Sequence, residues 1–171
     1  MKFRLTFIVV LGFLCTLLMQ CRKESALSPQ ETDTLLLAKA TPVNGFSYYK
    51  NDSAIIRSSP QSAHAGYFRV RFNDIAERAL TDGGKLPVGA SFPTGSLVVK
   101  ELHTDSTGNN LIGYAVMEKS PTDTSAAQGW VWAEYITSGA GGYKIGGKGA
   151  ICTGCHSTND RDKVRLFNLF P

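Results

Sequence analysis

Beyond residue 21 the sequence has no apolar run approaching the roughly 20 residues a membrane-spanning helix needs, which excludes a polytopic membrane protein. Cysteine is scarce, four in 171 residues, too few for a disulfide-dense scaffold. Seven prolines and 17 glycines are too few for a collagen-like chain. A composition 43% hydrophobic and 19% charged is too apolar for a disordered one. The length gives room for one domain rather than two.

The one long apolar run is N-terminal. Lys2 and Arg4 precede an apolar core from Leu5 to Met19, and the polar stretch Cys21-Arg22-Lys23-Glu24-Ser25 follows. The run is short and polar-flanked, so residues 1–20 read as an export signal rather than a span. Leu18-Met19-Gln20-Cys21 resembles a bacterial lipobox, which makes Cys21 the candidate lipid-attachment residue. A plain secretory signal with a chance cysteine is the other reading. Either places the chain in the periplasm or cell envelope, and the lipobox adds a membrane anchor. Removing residues 1–20 takes away two cations and no acid and leaves a formal charge of +2. So small a charge, with no basic run, gives no case for nucleic acid as a partner.

Residues 21–45 are mostly polar and read as a tether, leaving 46–171 as the domain. Residues 65–80 place Phe68, Phe72, Ile75, Ala76, Ala79 and Leu80 on one helical stripe, although Phe68-Val70-Phe72 also fits a strand. Residues 96–103, 111–118 and 129–136 are rich in β-branched and aromatic residues and predict three strands. Turn residues separate them, and consecutive strands with short connections predict an antiparallel meander. The fold class is therefore mainly β, within α+β: a helix before the sheet and a C-terminal helical segment. Gly139–Gly149 reads as a flexible loop. Its near P-loop spelling has Gly149 where a magnesium-binding Ser or Thr belongs, and Lys144 and Lys148 read as solvated.

Cys152-Thr153-Gly154-Cys155-His156 carries the chemistry. C-x-x-C-H is the attachment signature of c-type haem. Two thiols at this spacing each add to one vinyl group on the same porphyrin edge, and the adjacent imidazole binds the iron. Cys152 and Cys155 are thus candidate thioether donors and His156 the candidate axial ligand. Such haem is assembled outside the cytoplasm, in agreement with the leader. Three other readings compete. A Cys152–Cys155 disulfide closes too small a loop to gain much entropy. A thioredoxin-like pair wants a βαβ context. A zinc site needs a fourth ligand, and His64 and His103 are distant in sequence.

A wider pattern surrounds the motif. Phe92-Pro93-x-Gly95 running to Lys100-Glu101, then Tyr114-Ala115-Val116-Met117, Gly129-Trp130-Val131-Trp132 and the Cys152–His156 motif together resemble cytochrome P-460 domains. With Phe68–Asn73 added, they resemble the short exported lipoproteins of that family, over roughly residues 46–171. The resemblance implies a mainly antiparallel β domain and one haem c, its iron held by a proximal histidine with the other side open or weakly occupied. It implies hydroxylamine or nitric oxide as substrate, or a diatomic gas as ligand, and a redox partner protein. It implies that Lys100 is the lysine that contacts or cross-links the porphyrin. Alternation puts Lys100 on the face of Val98 and Leu102; an edge lysine reaching solvent is the competing reading.

The sequence departs from the family's enzymes at one point. They carry a distal carboxylate as proton acceptor, and Ala115 stands where one is sought. Glu118 and Glu134 are near in sequence but without an assigned place. His64, His103, Met117 and Lys100 are candidate sixth ligands; His103 reads as a surface residue and Met117 as core filler. Trp130 and Trp132 share a strand face; they read as β core, with a place lining the pocket as the other reading. Asp160, Arg161 and Asp162 read as a solvated face, with charging a helix or meeting the haem propionates as the other readings. The functions in view are a redox or gas-binding haem protein of nitrogen-oxide chemistry, a six-coordinate electron carrier, and a non-haem exported binding domain with a disulfide.

Overall fold

The structure, a computed structural model, describes residues 28–60, 62–64, 66–139, 141–157 and 161–170. Residues 1–27, which include the segment read as an export leader and Cys21, lie outside the described residues. An antiparallel sheet organises what is described. Its strands are β1 (Phe46–Tyr48), β2 (Ile56–Arg57), β3 (Tyr67–Asn73), β4 (Leu97–His103), β5 (Leu111–Lys119), β6 (Trp130–Ser138) and β7 (Gly142–Lys148). The spatial order is β1-β3-β4-β5-β6-β7, with β2 pairing beside β1 on β3. From β3 onward this is the meander expected from the short connections. Helices α1 (Pro29–Ala40), α2 (Asp74–Glu77), α3 (Ala150–Cys155) and α4 (Leu166–Leu169) flank it.

The three predicted strands are present at β4, β5 and β6. Three local expectations change. Residues 67–73 form a strand rather than the start of a helix, because Phe68, Val70 and Phe72 alternate into the core and their burial outweighs the helical stripe. Only the single turn α2 remains helical, capped by Asn73, whose side-chain oxygen accepts from the backbone of Ala76 at 3.0 Å and of Leu97 at 2.9 Å. The glycine-rich stretch before the cysteine motif holds strand β7, paired to β6 along its length. And much of the stretch read as a tether is helix α1. Ser28 and Glu31 form a capping box at its start, and Leu36 and Ala40 are buried against the sheet.

The sheet has two hydrophobic faces. One packs Leu36 and Ala40 of α1 against Val99, Tyr114, Val116, Val131 and Tyr135. Lys39 pairs with Glu118 at 2.6 Å and Lys148 with Asp33 at 2.8 Å at the helix margins. Beneath the helix end lies a buried ionic cluster. Glu101 pairs with Arg71 at 2.8 Å and also with Arg69, while the fully buried Arg71 guanidinium donates to the carbonyls of Ala40 and Pro42. His103 is buried here, 3.6 Å from Glu101, not on the surface as its place at a strand end suggested. The other face packs Phe68, Val70, Phe72, Met117, Trp130 and Trp132 against the C-terminal arm, through Val164 and Phe167. Gly113 allows β5 and β6 to run this close: a Cβ there would lie 2.1 Å from the Tyr135 carbonyl oxygen.

Arg71 supplies donors to a buried carboxylate and to the carbonyls of Ala40 and Pro42. Arg71→Ala is expected to cost about 3 kcal/mol of stability by stranding them, and urea unfolding of the two proteins measures it.

Candidate functional site

The site is built on one cross-strand row. Register places Val70 opposite Lys100, Lys100 opposite Ala115, Ala115 opposite Glu134, and Glu134 opposite Gly147. All five share the face that carries the C-terminal arm. Lys100 and Glu134 are therefore two strands apart, roughly 9–10 Å at ordinary strand spacing, with only an alanine side chain between them. Small residues at positions 115 and 147 leave an open cleft there, of about 1130 Å³ with its mouth included. Phe68, Val70, Val98, Met117, Trp132 and Leu166 give it apolar walls.

The cysteine motif closes one side. Helix α3 puts Cys152, half-buried, and Cys155, exposed, three residues apart, so both thiols border the cleft and both are free. Burial and then the Glu134 charge push the Cys152 thiol up from its ordinary pKa. His156 caps the helix and also lines the cleft. Its Nδ1 lies 2.8 Å from the Lys163 carbonyl oxygen, which fixes Nδ1 as the protonated nitrogen and leaves Nε2 as the free donor atom. Burial holds the imidazole below its ordinary pKa, in the neutral form that binds metal. Its ring packs against Trp132, with centroids 4.9 Å apart.

Across the cleft, Lys100 is half-buried, with its Nζ 4.0 Å from the centre of the Phe68 ring. Burial lowers its pKa to about 8, against the opposing pull of Glu134. The side chain points into the cleft rather than along the sheet surface. Glu134 faces it. His64 Nδ1 lies 3.4 Å from Glu134 Oε2, and this side-chain contact holds the carboxyl below its ordinary pKa. His64 comes from the segment before β3, where Ser62 Oγ lies 3.2 Å from the His64 backbone nitrogen.

The structure thus brings together Lys100, Met117, Trp132, Cys152, Cys155 and His156, and adds Glu134 and His64. Glu134 puts a carboxylate beside Ala115, in the same row on the next strand. Its signal was present in the sequence, since alternation in β6 puts it on the face of Trp130 and Trp132. His103 and Glu118 lie on the opposite face and take no part. Asp162 and Arg161 are not a solvated face: Asp162 is buried, and Arg161 bonds Asp82 at 3.0 Å and the Leu86 carbonyl. Asp160 lies outside the described residues. Among the described residues, no group of three or more His, Cys, Asp or Glu is placed to hold a bare metal ion.

Lys100 binds its proton less tightly in the folded chain than in the unfolded one, so its charge penalises folding at neutral pH. Lys100→Met is expected to stabilise the protein at pH 7 by about 2–3 kcal/mol, on the scale of a pKa moved from 10.5 to about 8. The gap closes as pH rises from about 8 to 10.5 and wild-type Lys100 loses its charge in the fold. Urea unfolding at the two ends of that range checks both size and direction.

A search of curated proteins found no match for this chain. A family model, Cytochrome P460, matches residues 47–166, from within β1 to the start of α4. The match spans the sheet, the cleft and the cysteine motif, so the chain belongs to the cytochrome P460 family, a family of haem-binding cytochromes.

Proposed function

We propose that the protein is an exported monohaem c-type cytochrome that binds and turns over small nitrogen-oxide molecules such as nitric oxide or hydroxylamine. The observation that carries this reading is the shared cleft. Two free thiols at attachment spacing and an imidazole with Nε2 free border it, and a lysine and a carboxylate enter it from the sheet.

The residues fit the group. A macrocycle needs an apolar slot, and the aromatic and aliphatic walls supply one. Cys152 and Cys155 would hold it by thioether bonds, and His156 Nε2 would bind the iron. When bound, haem supplies one-electron redox chemistry and a coordination position for a small ligand. The chain's own residues do the rest. The Lys163 carbonyl keeps His156 in one tautomer. Val98, Met117 and Phe68 exclude water. Glu134, ionised at neutral pH, takes a proton from a bound substrate such as hydroxylamine, and His64 keeps that carboxylate ionised. Lys100 lies where a cation meets an anionic or electron-rich ligand, or the porphyrin edge. The leader and Cys21 support export to the periplasm or cell envelope with a lipid anchor, and an electron-accepting partner protein completes the cycle.

Expression in a host equipped for c-type maturation is expected to give red protein whose haem survives denaturation. Cys152→Ala with Cys155→Ala is expected to abolish that stain and leave a poorly folded chain; colourless wild-type protein overturns the reading. High-spin iron that binds nitric oxide or carbon monoxide without displacing a ligand supports an open position. A low-spin spectrum that is indifferent to both gases turns the assignment to a simple electron carrier, with His64 or Met117 as sixth ligand. Intact mass reports any Lys100 cross-link.

Glu134→Gln is expected to slow hydroxylamine oxidation by about 10²–10⁴-fold with haem content unchanged. Because His64 lowers the Glu134 pKa, His64→Ala is expected to move the acidic limb of the pH–rate profile upward; steady-state rates across pH read both.

A further inference from the structure

The arm that carries the proximal histidine is tied down by a carboxylate that the proposed chemistry does not use. Asp162 is buried, yet both of its oxygens are satisfied. Lys119 Nζ chelates it at 2.9 and 2.8 Å, the Phe92 backbone N–H donates to it at 2.8 Å, and Trp130 Nε1 donates at 3.3 Å. These donors come from three places: the end of β5, the start of β6, and the Phe92-Pro93 segment before β4. Lys119 and Trp130 are themselves cross-strand partners, with the ammonium 5.0 Å from the indole ring. Asp162 and the next residue, Lys163, both have left-handed backbone conformations, φ 48° and 73°. Two consecutive non-glycine residues hold such a turn only where their surroundings dictate it. This turn presents the Lys163 carbonyl to His156 Nδ1.

We propose that Asp162 is the positioning residue for His156: its ion pair with Lys119 pins the 161–163 turn to the sheet and so holds the Lys163 carbonyl that orients the imidazole. The assignment rests on the reading of His156 as the haem ligand. The carbonyl fixes the ring's tautomer and plane and makes Nε2 a stronger donor, as outer partners of metal-bound histidines do. A stronger donor favours oxidised iron, so the Asp162–Lys119 pair tunes the reduction potential without touching the cofactor.

The test compares the full-length holoprotein with Asp162→Asn and Lys119→Met. Asparagine tolerates the left-handed turn and keeps an acceptor, and methionine keeps the aliphatic cover of Trp130. As charges acting through space, the two changes oppose one another: losing the acid raises the potential, and losing the cation lowers it. As a broken tether they act alike. The expected result is that the potential rises in both variants and that the His156 Nδ1–H proton, followed by NMR, exchanges with solvent about 10-fold faster in both. Potentials that move in opposite directions, or Nδ1–H protection unchanged in either variant, overturn the proposal. If one variant fails to fold, the other decides alone, because a lowered potential or unchanged protection in Lys119→Met and unchanged protection in Asp162→Asn each count against it. A wild-type protein without haem defeats the proposed function only; the Nδ1–H exchange in that protein still decides the role of Asp162.

Discussion

Everything at the site depends on the register of β5 against its two neighbours. Because Ala115 pairs with Lys100 on one side and Glu134 on the other, a cation and a carboxylate face one cleft with a methyl group between them. A one-residue slip would carry every side chain of the slipped strand to the opposite face. It would bury Glu134 under α1 or send Lys100 into the Arg71–Glu101 cluster. Close approach at Gly113 and the aromatic packing of Trp130 and Trp132 on the cleft side work against such a slip.

The two faces divide the labour. Beneath α1, buried charges are fully engaged: Glu101 with two arginines, and Arg71 with the carbonyls at the end of the helix. That face is sealed. On the cleft face Lys100 keeps a lowered proton affinity through burial, and its nearest ring is the apolar Phe68. A buried amine held against an aromatic ring, with its carboxylate two strands away, is costly for folding alone. Its persistence makes sense where a ligand completes its surroundings.

Much of this was legible in the residues. The spacing at 152–156 singled out a segment that the structure sets beside the cleft, and the alternation of β4 placed Lys100 on the cleft face. The strands of the meander were legible because β-branched and aromatic residues lie between strong turn formers. What escaped depended on contacts between segments distant in sequence. Glu134 could be placed on a strand face but not opposite Ala115, because a ten-residue loop leaves the β5–β6 pairing free in the sequence. Strand β7 was hidden because its glycines have low strand propensity and gain their order from β6. Helix α1 was hidden by a polar composition, since Leu36 and Ala40 alone carry its deepest burial. Asp162 looked like a surface charge because none of its partners lies close in sequence.

The same reasoning explains how order is distributed around the cysteines. Helix α3 has six residues, a glycine within it, no side-chain cap and no buried residue. A helix that short has little stability of its own. The imidazole that follows is held on two sides, by the Lys163 carbonyl and by Trp132. Thiols on a lightly held turn can approach a macrocycle while the ligand nitrogen already stands in place. On the proposed reading, bond formation through Cys152 and Cys155 would then supply the order that the local sequence does not. A domain built this way would couple completion of its fold to the arrival of that cofactor, with the turn at 161–163, strapped through Asp162, as the rigid partner.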